Sequence, residues 1–312
     1  MTYPELYESG VLQRRIEQGI AALGECRLCP RRCGANRRED EVGFCGVGRH
    51  SVVASFNPHF GEEQPLVGTH GSGTIFFAGC NLGCRFCQNH DISHNPGAGL
   101  KAEPEELAGV MLKLQEQGCH NINFVTPSHV AVQILEALPI AIEHGLRVPL
   151  VYNTSSYDSL EVLRLLDGVV DIYMPDVKIW DVENAKRYLR AKDYPECARA
   201  AVTEMHRQVG DLIIDADGVA QRGLLVRHLV MPEDIVGTGE WMAFLAGLSK
   251  RTYVNIMDQY RPCFHAADYP EINRMISADE LSAARVEAEK CGLTRLDARS
   301  ERFFHRLFRK SH

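Results

Sequence analysis

TIFFAGCNLGCRFCQN, residues 74–89, decides the fold. Thr74 to Ala78 is a short uncharged run of β-branched and aromatic residues, the composition of a strand buried on both faces. Two residues later come Cys80, Cys84 and Cys87, with Gly79 and Gly83 giving the backbone freedom to curl around a bound group. The rhythm repeats downstream. INFV (122–125), VPLVYN (148–153), VVDIYM (169–174), GLLVRHLV (223–230) and TYVNIM (252–257) read as further buried strands. Helical patterns near 104–118, 129–144, 157–166, 181–208 and 238–250 separate them, the first opened by Pro104, Glu105 and Glu106. Asp211 to Ala220 reads as a hairpin turning at Asp217-Gly218. This alternation predicts an α/β chain with a parallel sheet, either open and doubly wound or an incomplete barrel. In both, chemistry belongs at the carboxyl ends of the strands, where the cysteine loop leaves the first of them.

The whole chain has 312 residues, 45% of them hydrophobic, enough for one large core. Its net charge of −7 argues against nucleic acid as the default partner. The first residues have no apolar signal core, and no stretch reaches the roughly 18 apolar residues of a membrane span, so the cytoplasm is the expected compartment. Residues 1–25 read as one amphipathic helix, and Val52 to Phe56 as a strand within an otherwise loop-like stretch, 51–73.

Seven of the 11 cysteines fall within residues 26–87, and such short spacings read as metal ligation rather than as disulfides. Three thiolates at Cys80, Cys84 and Cys87 are one short of the usual four for an iron–sulfur cluster, which leaves one iron open to an outside ligand. A zinc site borrowing a fourth ligand is the competing reading, with only His90 close by. Cys26, Cys29, Cys33 and Cys45 supply four soft ligands to a segment too poor in apolar residues to fold alone, and suit either zinc or a second cluster. Arg31, Arg32, Arg37 and Arg38 around them read as a solvated face, and RFFHRLFRK (302–310) as a terminal helix. Cys119, Cys197, Cys263 and Cys291 read as small buried residues.

Polar residues gather where the strands end: Asn153 and Thr154, then Met174, Asp176 and Lys178, then Arg227 and His228, then Asp258, Gln259 and Tyr260. Such a concentration is expected of an active site.

TIFFAGCNLGCRFCQN resembles the signature of the radical SAM superfamily. Together with CRLCPRRCG, PHFGEEQPLVGTHGSG, HNINFVTPSH, VYNTSSYDS, DIYMPDVK, RHLVMP and YVNIMDQYRP, it is similar more narrowly to proteins resembling pyruvate formate-lyase-activating enzyme. The resemblance implies an incomplete (β/α)6 TIM-type barrel over 74–262. It is preceded by a Cys-rich metal-binding extension in 1–73 and followed by a C-terminal loop and helical extension, 263–312. It implies a [4Fe-4S] cluster on Cys80, Cys84 and Cys87 whose open iron binds S-adenosylmethionine (SAM). The electron then comes from a donor such as flavodoxin or ferredoxin, and the substrate is a glycine of a glycyl-radical enzyme or another peptide or small molecule. Phe86 takes the place near adenine. Asn153, Thr154, Met174 and Asp176 match positions that hold a cation near the methionine carboxylate, which Lys178 and Arg227 also suit. Where activating enzymes carry Gly-Gly-Glu for the methionine amino group, this chain has Thr126-Pro127-Ser128-His129. Thr126 and Ser128 could accept the amino protons, and His129 could cap the next helix. The reading of a different class is a non-catalytic redox or RNA-binding metal module, which needs no substrate pocket.

Overall fold

Ten strands form one sheet in the computed structural model, which describes residues 1–297. They are β1 Ser51–His59, β2 Ser72–Phe77, β3 Leu100–Ala102, β4 Ile122–Val125, β5 Leu150–Thr154, β6 Ile172–Val177, β7 Ile213–Ile214, β8 Ala220–Leu229, β9 Tyr253–Met257 and β10 Arg295–Leu296. Their order is β10-β9-β8-β6-β5-β4-β2-β1-β3, with β7 hairpinned onto β8. The six expected strands are β2, β4, β5, β6, β8 and β9. They stand side by side in chain order and every pairing is parallel. Among the described residues β2 and β9 do not pair, so this is an incomplete TIM-type barrel.

Period-2 alternation sorts the side chains into two layers. Phe124, Tyr152, Tyr173, Leu224, Val226, Val254 and Ile256 face outward into the main core, with the helices Pro104–Glu116, Ala131–Glu143, Tyr194–Val209 and Thr238–Leu248. Val151, Ile172, Met174 and Leu225 face inward and form a second apolar cluster. One residue pair further along, the inward layer turns polar at Asn153, Asp176, Arg227 and Asn255, which places charge at the mouth of the barrel.

Several elements differ from the sequence reading. The single N-terminal helix is two, Tyr3–Glu8 and Val11–Ala22, because Gly10 takes φ +69 between them. The long pattern at 181–208 breaks at Arg190, in the left-handed region, and resumes as Tyr194–Val209. The strand expected at 52–56 runs from Ser51 to His59, antiparallel to β2. Residues following it turn back into the barrel. Leu66, on the short helix Gln64–Val67, is fully buried against the inward cluster of Val151, Ile172, Met174 and Leu225. The interior of the open barrel is thus partly filled by the chain's own N-terminal segment. No helix among the described residues is long and apolar enough to cross a membrane. RFFHRLFRK lies outside the described residues.

Candidate active site

Cys80, Cys84 and Cys87 line one cavity of ≈ 490 Å³ at the carboxyl ends of the strands. Backbone bonds hold their loop to its surroundings: Gly83 N to Leu189 O (3.2 Å), Arg85 N to Tyr188 O (2.8 Å) and His265 N to Arg85 O (2.9 Å). The buried Asn81 amide donates to Tyr157 O (2.6 Å), and Gln88 to Gln259 O beyond β9 (3.1 Å). The Leu82 N–H points at Cys80 Sγ (3.3 Å). Burial pushes the Cys80 thiol up to about 12 and the Cys84 thiol up as well, with the neighbouring thiols adding and Lys178 opposing. Such thiols are poor nucleophiles when free and become thiolates when a metal centre compensates their charge. Three soft donors facing one cavity therefore fit an iron–sulfur cluster with a position to spare.

Beside them lies a buried charged layer. Asp176 accepts from Lys178 Nζ (2.9 Å) and from Arg227 Nε (2.6 Å), while Arg227 Nη2 donates to Asn153 Oδ1 (2.7 Å). Burial works to raise the Asp176 carboxyl, but Arg227 and Lys178 outweigh it and hold it below the usual range. Burial likewise works against both cations, and the surrounding carboxylates keep both charged. Two residues missed from the sequence complete the layer. Glu62 Oε2 is 3.5 Å from Arg227 Nη1, and Glu63 Oε1 accepts from Asn255 Nδ2 (2.8 Å). The signal was present in Gly61-Glu62-Glu63-Gln64-Pro65-Leu66-Val67. Two acids joined to an apolar turn are carried inward when the turn is buried.

The other expected site residues divide. Phe86, Thr126, Asn153, Thr154, Asp258 and Gln259 line the cavity with Asp176, Lys178 and Arg227. Phe86 is buried edge-on against Tyr260, whose hydroxyl donates to Ile272 O (2.7 Å). Thr126 carries φ +60, a strained setting for a β-branched residue and one that concentrates at functional sites. Ser128 is not among the lining residues. Its hydroxyl meets Thr154 Oγ1 (3.0 Å), which donates to the buried Asp158 (2.5 Å). Met174 lies below the mouth in the apolar cluster, since its side chain is inward but one layer too deep. Of the four residues expected near a cation, Asn153, Thr154 and Asp176 line the cavity while the Met174 side chain does not, and Asn153 and Asp176 hold the Arg227 guanidinium.

His129 does not cap the next helix. It is buried with Nε2 against Ala78 O (3.0 Å) and its carbonyl accepts from Arg37 Nη1 (2.7 Å). Arg37 is thus a buried tie between the Cys-rich segment and the barrel, not part of a solvated face. His228 also points away from the cavity, bonded to Val177 O (3.2 Å) and Thr238 Oγ1 (3.0 Å). Burial lowers the His228 pKa to about 4. An unfolded histidine at about 6.5 takes up a proton that the folded one refuses, so stability falls as pH drops from 6.5 toward 4. Asp171, raised to about 6 by burial, acts in the opposite sense. His228→Asn should therefore lose less stability than the parent between pH 6.5 and 4.5, by about 2 kcal/mol in urea unfolding.

The N-terminal cysteines pack onto the same loop. Cys26 and Cys29 are buried, Cys45 half-buried and Cys33 exposed. Burial pushes the Cys29 thiol up to about 12, with Cys45 and Cys26 adding, and Cys45 in turn feels Cys26 and Cys33. Arg31 Nε donates to Asn81 O (2.8 Å), and a Cβ on Gly79 (φ +80) would meet Cys45 O at 2.5 Å. Among the described residues no three Cys, His, Asp or Glu side chains converge closely enough to hold a single ion. Of the remaining cysteines Cys119 is buried, whereas Cys197, Cys263 and Cys291 are only half-buried.

A family model described as the radical SAM superfamily matches residues 74–215. The chain belongs to the radical SAM superfamily. It is 33% identical over 298 residues to "Uncharacterized protein MJ0674" of Methanocaldococcus jannaschii, covering 93% of this chain and 81% of that protein. Among solved structures it is similar to TYW1 with a lysine-pyruvate adduct bound (10% identity, TM-score 0.39, 69% of this chain and 73% of that one). It is also similar to the cobalamin-dependent SAM radical enzyme OxsB (15% identity, TM-score 0.39, 71% and 31%). Superpositions this loose place no side chains, so the site rests on its own cavity. Membership in the radical SAM superfamily implies a [4Fe-4S] cluster and SAM, and the matched segment carries Cys80, Cys84 and Cys87.

Proposed function

We propose that this radical SAM enzyme binds its cluster through Cys80, Cys84 and Cys87, binds SAM across the same cavity, and draws a hydrogen atom from a substrate entering the barrel mouth. The observation that carries this reading is the shared cavity: three thiols, the Phe86 ring and the Lys178 ammonium all line it. A cluster held there would supply the electron for reductive cleavage of SAM, the chemistry that generates the hydrogen-abstracting species. The protein's part is to position and to exclude water. Lys178, which has one hydrogen bond to Asp176, is placed to meet the methionine carboxylate. Thr126, with no Gly-Gly-Glu acid available, offers its hydroxyl to the amino group. A reduced flavodoxin or ferredoxin supplies the electron.

The substrate class follows from room. The segment after β1 fills part of the barrel interior and leaves a cavity of ≈ 490 Å³, so a small molecule or a single extended peptide segment enters more readily than a folded surface. A glycine on a protein loop, the activase-like target, is one member of that class. Cell extract divided by ultrafiltration tests it. Reduced enzyme with SAM should form 5′-deoxyadenosine faster with one fraction: the filtrate for a small molecule, the retentate for a peptide. A rate unchanged by either fraction counts against hydrogen abstraction from such a substrate. Metal content per chain tests Cys26, Cys29, Cys33 and Cys45 as a second metal site, and about four irons with no zinc rules it out. About four irons with one zinc means a zinc staple, and about eight irons means a second cluster.

A further inference from the structure

We infer that the outer face of the cysteine loop, a ridge of Arg31, Arg85 and Arg190 with the exposed Phe44, is the docking surface for an acidic one-electron carrier protein. The inference rests on the reading of Cys80, Cys84 and Cys87 as the cluster site, and it says where the electron enters.

The loop has two sides. Cys80, Leu82, Cys84 and Phe86 line the cavity, whereas Asn81, Gly83 and Arg85 between them do not. The side away from the cavity meets other segments of the chain. Arg31 Nε donates to Asn81 O (2.8 Å), a Cβ on Gly83 would meet Arg190 Cδ at 3.1 Å, and Arg85 N donates to Tyr188 O (2.8 Å). SAM and substrate occupy the cavity side, so a carrier protein has the outer side to approach. A group resting on Arg190 is one side chain away from Gly83, which is bonded to Cys84. There the carrier gives up one electron to the group that the three thiols hold, and no bond is made at the ridge.

Contacts join the ridge into one surface. Arg31 Nη1 donates to Arg190 O (2.6 Å). The Arg31 guanidinium lies 3.9 Å from the Phe44 ring centroid and that of Arg190 lies 5.4 Å from the same ring. Arg190 is exposed and Phe44 is 40% exposed. His94 ties Arg85 to this face: burial lowers its pKa first, and the charges of His90, Arg190, His265 and Arg85 lower it further.

Charge decides the kind of partner. Backbone carbonyls satisfy hydrogen bonds of Arg31 but not its charge, and among the described residues no carboxylate pairs with Arg31, Arg85 or Arg190. Acids border the ridge but are engaged elsewhere: Glu271 with Arg187 (2.5 Å), Asp268 with His265 (3.2 Å) and Asp193 with the Tyr157 hydroxyl (2.8 Å). Asp91 is exposed beside His90. A phosphate chain, charged along its whole length, meets those acids as well as the arginines. A protein can instead place spaced carboxylates on the three guanidiniums and an apolar group on Phe44. Electron-transfer contacts are of this small, charge-led kind.

Oxidised flavodoxin, an acidic carrier, is titrated into the reconstituted protein by calorimetry at low and high salt. SAM cleavage is driven in parallel by reduced flavodoxin and by dithionite. Binding should weaken as salt rises. Arg85→Gln combined with Arg190→Gln should weaken it about tenfold or more, and Arg190→Lys by less than about threefold. Arg251→Gln precedes β9, at the end of the barrel opposite the cysteine loop, and should change it by less than about twofold. The flavodoxin-driven rate below saturation should fall with affinity, while the dithionite-driven rate stays within about twofold, because a small reductant needs no docking surface. No binding of flavodoxin by the parent, binding unchanged by salt or in the paired variant, or an equal loss of the dithionite-driven rate overturns the inference. So does tighter binding of a uridine oligonucleotide that the same substitutions weaken, which assigns the ridge to RNA. A parent that cleaves no SAM with dithionite strikes the proposed function, and the binding comparison then still decides the docking face.

Discussion

Cys84→Ser is expected to reduce reductive cleavage of SAM by more than about a thousandfold, a loss of ~4 kcal/mol or more in transition-state stabilisation. The size follows from the donor set. Only three thiols line the cavity, and none of the other cysteines does. Serine keeps the shape of the side chain and removes the soft ligand. The remaining two sulfurs cannot hold a cluster against exchange with solvent. The substitution should leave the fold intact, because the loop is fixed by its backbone bonds to Tyr188 and Leu189 and by Asn81 rather than by the thiol. Measuring 5′-deoxyadenosine from dithionite-reduced enzyme, alongside circular dichroism, separates the two effects. Parent-like product from Cys84→Ser would exclude the cluster assignment.

Arg227→Met carries the largest expected cost in stability, about 3–5 kcal/mol at pH 8, because it removes one partner of a buried ionic network. The guanidinium joins Asp176, Asn153 and Glu62 and lies within the field of Glu63. Without it the carboxylates repel one another in a space that excludes water. Their folded pKa values rise, so the folded variant binds more protons than the unfolded chain, and the variant regains stability as pH falls. The deficit should therefore be smaller at pH 5 than at pH 8. Urea unfolding at the two pH values checks both size and sign; a deficit below about 1 kcal/mol at pH 8 means the network is solvated and weak.

The repeating strand-and-helix pattern was legible because buried parallel strands must be apolar throughout and helices need a period of 3.6. All six strands of the barrel were visible on that ground, although the VVDIYM strand lies three residues later, at Ile172–Val177, since Val169 and Val170 pack in the core as part of the preceding turn. β3 and β10, of three and two residues, were too short to carry a period. Spacing alone grouped Cys80, Cys84 and Cys87, which the fold brings to one cavity. The site was not legible where depth decides the role. Met174 and Asp176 share a face, but one lies in the apolar floor and the other in the charged layer. Ser128 and His129 occupy a strand end yet spend their polar atoms on Thr154 and Ala78. Glu62 and Glu63 were hidden because the return of residues 60–67 into the barrel is a tertiary event that no local pattern announces.

The central claim is that Cys80, Cys84 and Cys87 hold a cluster with one iron open to SAM. Electron paramagnetic resonance of the anaerobically reconstituted, dithionite-reduced protein tests it most directly. Adding SAM should change the signal of the reduced cluster, and the combined variant Cys80→Ala, Cys84→Ala, Cys87→Ala should show no SAM-dependent signal. A cluster signal in the parent that stays unchanged at saturating SAM, or a SAM-dependent signal that survives in the combined variant, would contradict the assignment.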